Sequence, residues 1–439
     1  MDPRQSRITE LAIAIKKQTE TLQSLLDSLK VATPSFSVNA NQELPRNAAV
    51  QLAQSSILDS CTELQDLVEG PLAHVGRIMS PRVHISSALQ AIVHFNIAGK
   101  IAKHETISFG EIAKRCKMDV DDVKRIMRLA ISYRIFKESH IGFVNHTASS
   151  FLIAENLLVR QWISLCCDEF IPAGSFLVPA MNKWPSSEEP NETAFALLHK
   201  GDSLWEVLKK QPEKAQRFAH GMEYMRTLPP FDINHLFTSL NWEIDCEMVL
   251  VDVGGSQGSI AEALLRRHPR LRCYVQDLPE TLSKAVVPKD LKGRLEFVSH
   301  SMFKEQPIKA DVYLLRSILH DWLDGYALQI IRNLIPALEA GSKVIINEIC
   351  LPEPNAISAY EAQLIRWVLH MSFSLATETN NNSGYDLSMK QQFNSKERDV
   401  HEWETLFRLA DRRFKLNRIV NPPGSFLAVL EFEWQPTTP

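Results

Sequence analysis

The stretch that most constrains this chain is VLVDVGGSQGSIAEALLRRHPRLRCYVQDLPE, from Val249 to Glu280. Val249, Leu250, Val251 and Val253 form a short apolar, β-branched run that ends in Gly254-Gly255. Apolar positions then fall at helical spacing, Ile260, Ala263 and Leu264, which predicts a buried strand, a tight turn and the start of a helix. Leu271 to Val275 read as a second strand, capped by Asp277. A glycine turn lets the backbone approach a ligand closely, and a helix start offers N–H groups with no partner inside the helix. An acid after the second strand is placed to accept hydrogen bonds from a ribose diol.

The type of nucleoside follows by elimination. A dinucleotide fingerprint needs glycine at the first, third and sixth positions, which here hold Gly254, Ser256 and Ser259. No GxxxxGK[ST] run occurs, so a phosphate-cradling loop is absent from the sequence as well. A G-x-S-x-G turn suits a ligand whose charged end is an amino acid, and S-adenosylmethionine (SAM) fits that description best. A packing turn in some other α/β domain is the alternative.

Strands and helices continue to alternate after this unit. LEFVSHSMF, DVYLLRSIL and KVIINEICL read as strands three to five, with a helix from Tyr326 to Glu339 capped by Gly341 between the last two. FKLNRIV and FLAVLEFEW, separated by NPPGS, read as a closing antiparallel pair. The expected fold is α/β: a doubly wound, mostly parallel seven-stranded sheet of Rossmann-like type, binding ligands above the C-terminal strand ends.

Upstream, residues 7–30 read as one helix, with Ile8, Leu11, Ile15, Leu22, Leu25 and Leu29 at heptad spacing around a polar Gln18. Its expected role is to pack on the rest of the chain or on a partner subunit. Residues 31–46 read as a linker, and Ala48 to Val68 as a second helix. Short helices over 108–114 and 120–133, followed by FKESHIGFVNHT, resemble a winged helix. Residues 100–150 carry ten Lys/Arg and six Asp/Glu, but Asp119, Asp121 and Asp122 open the would-be recognition helix and would repel phosphates. A dimerisation module is the better use of this fold. His140 and His146, flanking the wing, are expected at the surface.

Residues 155–240 are helical and hold Trp162, Phe170, Phe176, Met181, Trp184, Trp205, Met222, Met225 and Phe231. Most are expected in the core, and a few beside an apolar substrate. The resulting division is 1–75, an N-terminal helical extension; 76–155, a winged-helix-like dimerisation domain; 156–240, a helical substrate-pocket region; and 241–439, a SAM-binding domain.

Forty-eight basic and 52 acidic side chains give a net charge of −4, which makes no case for nucleic acid or an anionic membrane. Apolar runs fall short of a membrane span, and MDPRQSRITE lacks a signal-peptide core. Seven cysteines without a CxxC pair point to reduced thiols rather than a disulfide frame or a zinc site, with the cytoplasm as the expected location.

Three pieces meet at the rim of the glycine turn in this topology: Arg316-Ser-Ile-Leu-His320-Asp321-Trp322 after strand four, Asn347-Glu348 in strand five, and Lys396-Glu397-Arg398 in a later turn. A histidine has the pKa range to take a proton from an oxygen nucleophile, and a carboxylate on its other ring nitrogen fixes the tautomer. A sulfonium carries its own activation, so no metal is required. His370, on a helical run with Trp367 and Met371, is read as packing.

LVDVGGSQG, QDLPE, SMF, LLRSILHDWLD, NEICLP and SKERDVHEWETLF together span about Val249 to Phe407. On these pieces the sequence resembles the plant and fungal SAM-dependent small-molecule O-methyltransferases typified by caffeate and flavonoid O-methyltransferases. HIGFVNHT and the helices before it resemble that family's dimerisation domain. The resemblance implies a homodimer that methylates a hydroxyl, phenolic in the expected case, on an aromatic or polyketide-like natural product. It implies Gly254 and Gly255 against the methionine part of SAM, Asp277 on the ribose, Ser301 and Met302 flanking the adenine, and Arg316 near the cofactor. It further implies His320 as base, bracketed by Glu348 and Glu397. The family commonly has Gly-Asp where this chain has His300-Ser301, which puts the adenine contact in doubt, and Ser256 replaces a third glycine. Some fungal relatives of that family use SAM as a fixed charge for dehydration or pericyclic ring formation, which is the rival chemistry.

Overall fold

A computed structural model describes residues 6–79, 82–242, 247–352 and 384–435. His370, Trp367 and Met371 lie outside these described residues. The chain forms two compact units, one built from 1–179, 194–225 and 357–388, the other from 180–193, 226–356 and 389–439.

In the first unit, α1 (Arg7–Ser28) pairs with α2 (Ala48–Met79). Leu11 and Leu26 are its buried residues, while Ile8 and Leu29 stay exposed, so the packed seam departs from the heptad read in the sequence. The span Ala48–Met79 is two helices across a kink: Gly70, at φ +70° and ψ 167°, is not helical, so the first of them stops close to the expected Val68 and a second follows from Pro71. After α3 (Arg82–His94) come β1 (Ile107–Ser108), α4 (Phe109–Cys116), α5 (Val120–Ser132), β2 (Phe136–His140) and β3 (Phe143–His146). The strands form an antiparallel sheet in the order β1-β3-β2.

Local chemistry sets these boundaries. Ser108 caps α4 by accepting from the Glu111 amide, and Asp119 caps α5 by accepting from the Asp121 and Asp122 amides. Ile92, Ile112, Val123, Met127, Phe136 and Val144 form the core between them. His146 is a correction: it is buried, with Nδ1 2.8 Å from Ser150 Oγ and Nε2 3.1 Å from the Ile101 carbonyl. Its place in β3 opposite Phe136 turns it inward, whereas His140 is exposed as expected.

The second unit holds the large sheet: β4 (Met248–Val253), β5 (Leu271–Asp277), β6 (Leu295–Ser299), β7 (Val312–Arg316), β8 (Lys343–Leu351), β10 (Phe414–Val420) and β11 (Leu427–Trp434), in the order β10-β11-β8-β7-β4-β5-β6. β4 to β8 run parallel and β11 is antiparallel to both neighbours. A two-residue strand, β9 (Arg398–Asp399), extends β8 in parallel at Cys350 and Leu351. The strand order reverses between β4 and β7, and ligands of such sheets bind at the C-terminal ends beside that reversal.

Period two explains the two faces. Val251 and Val253 join Leu315, Ile346, Ile330, Trp403 and Phe407 on one side, while Leu250 joins Val275, Leu264, Leu314 and Ile345 on the other. Asp252 shares the parity of Leu250 and is therefore carried into the second face, only 2% exposed.

The helix expected from Tyr326 to Glu339 runs instead from Asp324 to Leu334, followed by a 3-10 turn over Ile335–Ala337. Pro336 has no amide hydrogen to donate, which stops the α-helical ladder there. Gly341, at φ +85°, belongs to the turn into β8 and does not cap the helix. Among the large apolar residues of 155–240, Trp162, Phe170, Met225 and Phe231 are buried, while Met181 is half exposed. Among the described residues no single helix is long and apolar enough to cross a membrane, and the six described cysteines are all unbridged.

Candidate active site

The turn after β4 is built from backbone that side chains tolerate badly. Gly254 (φ +72°) and Gly255 both donate their amides to the Gln276 carbonyl on β5, at 2.8 and 3.2 Å. A Cβ on Gly254 would stand 2.4 Å from Ile318 Cδ1, and one on Gly255 2.5 Å from Asp252 Oδ2. Packing thus disfavours a Cβ at both positions, and φ requires glycine at Gly254 as well. Ser256 holds a left-handed φ of +53°, and its amide donates to Asp277 Oδ2 at 2.9 Å. Asp277 Oδ1 accepts from the Leu278 amide at 2.7 Å, so the two strand ends are tied together through one carboxylate.

Beneath this turn, burial pushes the Asp252 carboxyl up to about 7, opposed by Arg316 and reinforced by Asp277. Its Oδ2 has no hydrogen-bond partner among the described residues. An unsatisfied acidic oxygen below a close-approach turn, with a second carboxylate above, fits the amino-acid and ribose ends of SAM: Gly254, Gly255 and Asp277 are the residues that would hold it.

The other expected cofactor contacts sit around the same rim. Ser301 and Met302 follow β6; Ser301 Oγ accepts from the Phe303 amide at 3.3 Å, and the Met302 carbonyl accepts from Asn333 at 3.0 Å. Phe303 then meets Trp322 edge to face at 4.7 Å. Arg316 is more committed to the protein than the sequence suggested. It donates to Asn347 Oδ1 and, at 2.9 Å, to the Phe231 carbonyl, and burial pulls its guanidinium down to about 10.

His320 lies in a 3-10 turn, Leu319–Asp321, and is 7% exposed. Its Nδ1 donates to Glu397 Oε1 at 2.9 Å. Glu348 Oε2 is 4.0 Å from Nδ1, and Asp321 Oδ1 is 3.6 Å from Nε2. Burial alone would lower the ring's pKa, but Glu348, Glu397 and Asp321 outweigh it and push His320 up to about 10. The same crowding drives Asp321 to about 7 and raises Glu348, both chiefly through burial.

The two glutamates act differently. Glu397 holds the ring, whereas Glu348 Oε1 accepts the Ile318 and Leu319 amides, each at 2.8 Å, and so holds the turn. Pairing of β8 with β9 brings them side by side, since Glu348 precedes Cys350 by two residues and Glu397 precedes Arg398 by one. All three residues expected to carry the chemistry therefore converge. Sequence reasoning left Asp252 and Asp321 out of the site; a charged residue inside the apolar VLVDV run, and an acid directly after His320, were the available signals. Among the described residues no group of three or more His, Cys, Asp or Glu is arranged to hold a metal ion. A polar cleft of about 510 Å³ in the first unit has its central acid, Asp168, already paired with Arg217 and Gln90.

Comparison with known proteins agrees with this geometry. Residues 185–411 match the O-methyltransferase domain family, and residues 81–155 the O-methyltransferase dimerisation domain. The chain is 95% identical to O-methyltransferase kk1A of Curvularia clavata over 439 residues, covering all of both chains. It is 33% identical to the grayanic acid biosynthesis cluster O-methyltransferase of Cladonia grayi, over 98% of this chain and 88% of that one. The solved structure of OxaC in complex with sinefungin and meleagrin shares the fold, with a TM-score of 0.71 at 18% identity, covering 96% of this chain and 99% of that one. On the family match over residues 185–411 and the identity to these relatives, the chain belongs to the SAM-dependent O-methyltransferases.

Proposed function

We propose that His320 is the general base of this O-methyltransferase and that its acceptor is a phenolic hydroxyl on a small natural product. The observation that carries the reading is the 2.9 Å contact from His320 Nδ1 to Glu397, which assigns proton exchange to Nε2. SAM, when bound, supplies an electrophilic methyl and one positive charge. Positive charge brought to this rim disfavours the imidazolium and draws the ring from about 10 toward the range in which it can accept a proton.

In this mechanism Gly254, Gly255 and Asp277 bind and orient the cofactor, with Ser301, Met302 and Arg316 completing its seat. Nε2 takes the hydroxyl proton as the oxygen attacks. Glu397 stabilises the imidazolium that forms, and Glu348 holds the turn that aims it. Positioned proton transfer of this kind contributes about 10²- to 10⁴-fold in rate. Dehydration or pericyclic ring closure, the rival chemistry, is not favoured, since the relatives at 95% and 33% identity are O-methyltransferases.

The dimerisation-domain match supports a homodimer, and the proposal includes that assembly, a cytoplasmic location and no nucleic-acid partner. It keeps the division at 1–75, 76–155, 156–240 and 241–439 as functional segments. The test is incubation with methyl-labelled SAM and a panel of phenols and aliphatic alcohols. Labelled aryl methyl ethers with stoichiometric S-adenosylhomocysteine (SAH) are expected; label appearing only on aliphatic or nitrogen acceptors would contradict the phenolic assignment.

A further inference from the structure

Arg398 follows Glu397 directly and is fully buried. Its Nη1 donates to the Leu319 carbonyl at 3.1 Å and its Nη2 to the Trp322 carbonyl at 2.8 Å. Those two carbonyls bracket His320 and Asp321. Nε and Nη2 also donate to Asp324 Oδ1, at 3.0 and 2.8 Å, where the next helix begins. The guanidinium lies over the Trp403 ring, 5.0 Å from its centre. At the same time the Arg398 backbone is paired to Cys350 on β8, the strand that carries Glu348.

We propose that Arg398 is a positioning residue that sets the distance between His320 and Glu397 by clamping the carbonyls on either side of the His320 turn to the short strand that Glu397 directly precedes. The inference rests on the reading of His320 as base. One planar fork serves both carbonyls and Asp324 simultaneously, which a lysine, with one point of charge, cannot do. Glu348, Glu397 and Asp321 face the ring, and Arg398 braces its backbone. Loosening the clamp would let Glu397 drift from Nδ1 while leaving the glycine turn and Asp277 untouched.

The decisive experiment compares wild type, Arg398→Lys and Asp324→Asn, each labelled with ¹³Cε1-histidine, with the His320 signal identified by its loss in His320→Gln. Lysine keeps the charge, so a change in titration reports geometry. Arg398→Lys is expected to lower the His320 titration midpoint by at least about one pH unit, because the raising influence of Glu397 weakens. SAH affinity by calorimetry should stay close to that of wild type, since Arg398 bonds to the His320 turn and Asp324 and to neither the glycine turn nor Asp277. On an active acceptor, kcat should fall about tenfold with KM for SAM unchanged. Asp324→Asn removes one anchor at a half-exposed position and should shift the midpoint the same way by less; it decides the matter if the lysine protein does not fold. A folded variant whose His320 titrates as in wild type overturns the positioning role. If His320→Gln itself keeps turnover, the base assignment falls and takes this inference with it, whereas an inactive His320→Gln beside an unshifted Arg398→Lys refutes only the clamp.

Discussion

Glu397 Oε1 and His320 Nδ1 stand 2.9 Å apart in a buried setting, although 77 residues separate them in the chain. The contact does two things: it occupies Nδ1, which on the proposed reading leaves Nε2 to face the acceptor, and it favours the protonated ring. Glu397→Gln keeps an acceptor at that distance but removes the negative charge. The midpoint of the pH–rate profile should therefore move to lower pH, since the proposed base acts as the neutral ring. Stability follows the same sign. His320 is raised from 6.5 to about 10 in the fold, so its contribution is fully present below about pH 6.5 and is lost as pH rises through 10. The Tm advantage of wild type over His320→Gln should shrink across that window, measured by calorimetry in steps of pH.

Glu348 is expected to behave differently from Glu397. Its Oε1 satisfies two buried amides, and removing that acceptor leaves both donors without a partner at a cost of about 1–3 kcal/mol each. Glu348→Ala should lose several degrees of Tm, whereas Glu348→Gln, which retains an oxygen, should stay close to wild type. Equal Tm values for the two variants would contradict the role of Glu348 as anchor of the turn.

Asp252 gives a test of the buried charge beneath the glycine turn. Its folded pKa, about 7, lies above the ordinary 3.8, so its contribution to stability is fully present below about pH 3.8 and lost as pH rises through 7. Asp252→Asn has no such dependence. The Tm difference, variant minus wild type, should grow between pH 4 and 7 and then level off. A flat difference would mean that the carboxyl ionises normally in the fold.

For the cofactor seat, Asp277→Ala should weaken SAH binding by about 10- to 100-fold, the scale of losing hydrogen bonds to a charged group. Gly255→Ala should weaken it too, because the new Cβ would sit 2.5 Å from Asp252 and 2.9 Å from Val275, forcing the turn to move. Calorimetry with SAH reads both without an acceptor. Unchanged affinity in either variant argues against this seat.

Much of this site was legible in the sequence because its signals are local. The β-branched run ending in Gly254-Gly255, the acid at Asp277 and the strand-end placement of His320 and Glu348 each follow from periodicity and turn chemistry over a few residues. What was not legible depends on long-range pairing. The family resemblance, not a local pattern, put Glu397 beside Glu348; the joining of β9 to β8 that adds Arg398 to that cluster is encoded by no local pattern. His146 was misread for the same reason: its burial depends on the Ile101 carbonyl, 45 residues away. The helix after Asp324 stops short of the expected Glu339 because the missing amide hydrogen of Pro336 outweighs the 3.6 periodicity that continues past it.

The central claim is that His320 removes the acceptor proton, and single-turnover methyl transfer by His320→Ala tests it most directly. With SAH affinity first shown by calorimetry to match wild type, the methyl-transfer rate from labelled SAM should fall about 10²- to 10⁴-fold. A His320→Ala protein that binds SAH normally and transfers methyl at the wild-type rate would contradict the assignment.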